Sequence, residues 1–143
     1  MTSHARRLKV TRERARKTLE DVALFVGINV PSYYDLENVD EEMFIAVSLK
    51  DLNRICDFLG MTTTALCVEE QPDPFPRISH GDLINKIFNY LEMQKMTVEE
   101  FENEVGFEIR ESLRHPEALG DWNVDCLRFV CEKIGVDWRV ALP

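Results

Sequence analysis

The chain has 143 residues, 45% of them hydrophobic and 30% charged, with a formal net charge of −9, enough for one ordinary domain or two small ones. No apolar run approaches the roughly 18–20 residues needed to span a bilayer, and the opening MTSHARRLKV lacks the apolar core of a secretory signal. Cys56, Cys67, Cys126 and Cys131 match no zinc spacing. They read as buried, reduced thiols, and the chain as cytoplasmic.

The first helix is expected over residues 5–17, with Leu8 as its apolar anchor. Residues 1–17 hold seven Lys or Arg and one Glu, whereas residues 18–72 hold two Lys or Arg and eleven Asp or Glu. The basic face is either a solvated surface or a contact for phosphates or for an acidic part of this same protein. Thr18 with Asp21 three residues on is an N-cap signal for a second helix. Val22, Ala23 and Val26 form its apolar stripe, and Gly27 ends it. Ile28 plugs the turn, Pro31 suits the first turn of a third helix, and Tyr33 and Leu36 face inward. Two helices joined by a tight glycine turn read as a helix-turn-helix.

After the third helix come Asp40, Glu41 and Glu42, then Met43 and Phe44, which are either core plugs or an exposed anchor for a partner. Leu49, Leu52, Ile55, Cys56 and Leu59 have helical spacing, Gly60 closes that helix, and a short helix follows over Thr62–Leu66. Residues 69–80 read as a linker stiffened by Pro72, Pro74 and Pro76, with Phe75 packing into the seam between the halves.

The second half repeats the first. Thr97–Phe101 aligns with Thr18–Val22, and Val105-Gly106-Phe107 with Val26-Gly27-Ile28, at an offset of 79. Beyond a shorter loop, Leu127 to Val136 aligns with Leu52 to Met61 at an offset of 75. Ser79 and Asp82 cap the helix that stands in for the first, with Ile84, Ile87, Phe88 and Leu91 as its apolar positions. Trp122 and Trp138 read as core. The alternative is an unrelated helical domain whose periodicity mimics the first half. The expected fold is therefore all-α. It is a tandem of two helix-turn-helix-like bundles over residues 1–68 and 81–143, joined by the proline-rich linker.

The stretch TLEDVALFVGINVPSYYDLE resembles the Cro/phage-repressor (Xre-type) helix-turn-helix family. It matches that family's pattern at Thr18, Glu20, Asp21, Val22, Ala23, Gly27, Ile28, Tyr33, Leu36 and Glu37. The resemblance covers about residues 5–68. It implies an ion pair between Arg12 and Glu37, which lie 25 residues apart. In the repeat, Arg12 aligns with Leu91 and Glu37 with Pro116, so both partners are absent together, as the cost of a stranded buried charge requires.

The family implies DNA reading by Leu19, Asn29, Val30, Pro31, Ser32, Tyr34 and Asp35, with Arg6 and Arg7 on the backbone. Among the seven reading positions only Asn29 is a good base-edge reader, and the acids at positions 35 and 40–42 repel phosphate. The same facts suit a non-enzymatic inhibitor of the immunity or antitoxin kind. It would mask a basic, nuclease-like bacterial toxin through Tyr34, Asp35, Asp40, Glu41, Glu42 and Phe44. A sequence-specific regulator is the alternative. His4, His80 and His115 are scattered, and no phosphate loop or nucleophile motif occurs. No catalysis, cofactor, metal or small-molecule substrate is expected.

Overall fold

The computed structural model describes residues 3–68 and 76–143. Every regular element among them is helical. In chain order these are α1 His4–Arg14, α2 Leu19–Val26, α3 Val30–Asn38, α4 Glu42–Ile45, α5 Leu49–Leu59, α6 Thr63–Cys67, α7 His80–Gln94, α8 Val98–Val105, α9 Arg110–Arg114 and α10 Val124–Ile134. Short 3-10 segments cover Pro116–Asp121 and Trp138–Ala141.

The caps explain where the helices begin. Thr18 accepts from the Asp21 N–H while Asp21 accepts from the Thr18 N–H, which satisfies two otherwise orphaned donors at the start of α2. Ser79 with Asp82 does the same for α7, and Thr97 with Glu100 for α8. Gly27 ends α2 at φ 87°. A side chain there would meet no neighbour, so backbone conformation alone selects glycine.

The same punctuation recurs in both halves. Lys17 N–H donates to Arg12 O, and Met96 N–H to Leu91 O, 79 residues later. Among the described residues, two other than glycine adopt positive φ, Arg16 and Lys95, again 79 apart. Met61 N–H bonds Cys56 O as Val136 N–H bonds Cys131 O, at the offset of 75. Each of these bonds closes a helix end.

Among the described residues, buried apolar side chains from Leu8 in α1 to Leu142 form one continuous cluster. Leu49 N–H donates to the Trp122 carbonyl at 2.6 Å, and the Asn123 side-chain amide donates to Ile45 O at 3.1 Å. Gly120 lets its 3-10 segment press on α5, since a Cβ there would stand 3.3 Å from Lys50 Cβ. Trp122 is 7% exposed and meets Phe107 edge-on, whereas Trp138 is only half-buried, under the Arg128 guanidinium. Cys56, Cys67 and Cys131 are free and buried, and desolvation pushes each thiol up to about 12. Cys126 is free but half-buried.

Phe44 departs from its expected place on a partner-binding surface. It is 3% exposed, its ring 4.6 Å from the His4 ring and 5.6 Å from the Arg128 guanidinium. The same guanidinium lies over Trp138, so Phe44 serves as a contact between the halves. Met43, fully buried, is a core plug. The stretch around them winds into the single turn of α4. Phe75 and its expected packing lie outside the described residues. No helix among the described residues is long and apolar enough to cross a membrane.

Candidate partner-binding face

The α2–α3 turn is held from inside by a buried ion pair. Arg12 donates from Nε to Glu37 Oε1 at 2.5 Å and from Nη2 to Oε2 at 3.1 Å, a bidentate geometry. The two side chains are 11% and 1% exposed. Tyr33 Oη adds a third donor to Glu37 at 3.0 Å, and Arg12 also bonds the Lys17 carbonyl. The hydrogen bond to Glu37 raises the Arg12 pKa, and burial followed by the Glu37 charge raises that of Tyr33. These contacts fix α3 against α1 and so fix what α3 presents outward.

What α3 and α4 present is acidic. Asp35, Asp40 and Glu41 are exposed and Glu42 is half-buried. Among the described residues none of the four has a cation within ion-pair distance. Tyr34 is 51% exposed between them, and Val39 and Ile45 are exposed by similar amounts. Three apolar side chains therefore stand among uncompensated carboxylates. Beside them a cleft of about 350 Å³ opens between the turn, α3 and α4, with Asp35 and Glu42 on its wall and Leu36 and Val47 in its floor.

Sequence reasoning missed Val39 and Ile45. The acidic residues around them drew the partner-binding reading, while an apolar residue flanking such a run carries no sequence signal of its exposure.

The positions expected to read DNA divide differently. Leu19 and Val30 are partly buried against the core, so their side chains are committed to packing. Pro31 and Ser32 are exposed. Asn29 caps α3, its side-chain oxygen accepting from Ser32 N–H at 2.8 Å. Arg6 is exposed on α1, while Arg7 reaches across to the Leu66 carbonyl and His4. Among the described residues no three His, Cys, Asp or Glu side chains gather as a metal site.

His4 sits at the edge of this face. Burial and then Arg7 lower its pKa, opposed by Glu41 and Asp40. In comparisons with known proteins, no family model, no curated protein and no solved structure matches the chain.

Proposed function

We propose that this protein is a non-enzymatic module that binds a basic protein through the α3–α4 face, in the manner of a cytoplasmic immunity protein or antitoxin masking a nuclease-like toxin. The scaffold is a tandem of helix-turn-helix-like bundles resembling the Cro/phage-repressor family in its first half. One observation carries the reading: Tyr34, Val39 and Ile45 stand exposed among carboxylates that, among the described residues, have no cation within ion-pair distance. Aromatic and aliphatic anchors inside a charged rim are how partners combine tight packing with electrostatic steering. A nuclease cleft built to hold a polyanion offers the complementary charge.

The test reverses Asp40, Glu41 and Glu42 to Lys. Against a basic nuclease encoded beside this chain, the triple variant associates more slowly, by on the order of tenfold, and with weaker salt dependence. A DNA-binding regulator responds with the opposite sign. Its non-specific affinity rises, and log K falls more steeply with log salt by about 0.9 per added phosphate contact.

The regulator reading draws on one observation, the groove along α1 where Arg6, Arg7 and Arg14 surround Val10 and Met61. Competitor-resistant retention of one genomic fragment by the unmodified protein in a mobility-shift assay would put that reading first.

A further inference from the structure

The cleft of about 350 Å³ beside the acidic face is built from positions that the second half fills with rings. Ile28 and Val47 belong to its lining. Ile28 follows the glycine that ends α2, and Val47 immediately precedes Ser48, the N-cap of α5. In the second half the residue after the equivalent glycine is Phe107, and the residue before Asn123, the N-cap of α10, is Trp122. These two rings meet edge-on, with centroids 5.5 Å apart. Two aromatic side chains thus touch where the first half has two smaller aliphatic ones and a recess. Asp35, on the wall of that recess, has Arg114 as its counterpart.

The recess combines two kinds of surface. Ile28, Leu36, Ala46 and Val47 are aliphatic, whereas Asp35 comes from α3 and Glu42 from α4. Among the described residues neither carboxylate has a cation within ion-pair distance. Glu42 is half-buried, so part of its hydration is lost with no cation to replace it. An occupant that suits both surfaces has an apolar stem and a cationic head. Arginine has both. Its methylenes cover aliphatic surface, and its planar guanidinium carries five donors, enough for two carboxylates. It is also more weakly hydrated than the compact ammonium of lysine, which lowers the cost of entering a recess.

We infer that this cleft is a socket for one arginine side chain of the basic partner, its stem against Leu36 and Val47 and its guanidinium between Asp35 and Glu42. The inference rests on the reading of the α3–α4 face given above and adds which side chain of the partner enters, and where. Asp40 and Glu41 lie outside the lining and act at longer range, on encounter; the socket acts on retention.

Titration of the full, isotope-labelled chain with the peptide acetyl-Gly-Arg-Gly-amide, followed by backbone amide chemical shifts, tests it. Saturable binding in the millimolar range, with shifts concentrated at Asn29, Ser32, Asp35, Ala46 and Val47, is the expected result. Acetyl-Gly-Lys-Gly-amide binds about tenfold more weakly. Ile28→Phe, which installs the second half's residue, weakens the arginine peptide by about tenfold, as does Asp35→Asn. Asp35 is exposed, so its variant decides the matter if Ile28→Phe does not fold. Asp40→Asn with Glu41→Gln leaves the affinity within about threefold, since screening weakens charges outside the socket. No saturable binding, equal binding of the two peptides, or shifts spread over the acidic face and unmoved by Asp35→Asn each overturn the socket. Failure of the face itself shows elsewhere, as an unchanged nuclease association rate when Asp40, Glu41 and Glu42 are reversed to Lys.

Discussion

The two halves solve the same packing problem with different buried polar groups. In the first, Arg12, Glu37 and Tyr33 form a hydrogen-bonded trio between α1 and α3. At the equivalent positions the second half has Leu91, Pro116 and Ser112, and Leu91 and Ser112 are both buried. Pro116 does more than remove a carboxylate. It biases His115 out of the helical region, to φ −130° and ψ 92°, and α9 stops after five residues where α3 runs nine.

The second half then buries a carboxylate elsewhere. Glu102, at the position of the small Ala23, accepts the Ile109 N–H at 2.7 Å and Arg110 Nε at 2.9 Å. α9 has no side-chain N-cap; Glu102 reaches from α8 to the N–H of Ile109, the residue just before it, whereas Asn29 accepts the Ser32 N–H inside α3. A buried charge is optional in this scaffold, but where it occurs its hydrogen bonds are complete.

The largest expected effect tests that rule. Arg12→Leu installs the second half's residue but strands Glu37, and unfolding in urea should show a loss of about 3 kcal/mol. Adding Glu37→Met should restore much of it. A double variant no more stable than the single would show that the halves do not share interchangeable solutions.

Next in size is Glu102→Ala, which gives the second half the first half's residue without an asparagine cap to compensate. The Ile109 N–H is left buried and unpaired, at a cost of about 2 kcal/mol. Arg110→Ala, at a side chain 58% exposed, should cost under about 0.5 kcal/mol. If the two variants were equal, the ion pair and not the capping bond would be the source.

The smallest effect is on pH. Burial lowers the pKa of His4 in the first half and of His80 in the second below the ordinary 6.5. The unfolded chain then takes up protons at higher pH than the folded one. Stability is full above 6.5 and declines as pH falls from 6.5 toward the lowered folded values. Denaturation midpoints between neutral and mildly acidic pH should show this slope, and His4→Gln should reduce it. A steeper slope in that variant would contradict the assignment. The two sites differ in cause, since charge from Arg7 adds to burial at His4, whereas at His80 a bond to the Ala141 backbone opposes it.

Local signals determined much of this protein. Thr18 with Asp21, Ser79 with Asp82 and Gly27 are chemical instructions to a few neighbouring residues, so the starts of α2 and α7 and the end of α2 could be read directly, whereas α1, expected over residues 5–17, ends at Arg14 and α4 had no such signal. The Arg12–Glu37 pair was legible through the family resemblance and through its joint absence in the repeat. Whether Phe44 faced water or core depended on Arg128 and His4, which lie 84 and 40 residues away in sequence. The exposure of Val39 and Ile45 likewise had no signal of its own in the sequence. Caps and turns act over one helical turn and are written in sequence. Burial is a property of what arrives from elsewhere in the chain, and tertiary packing alone decides it.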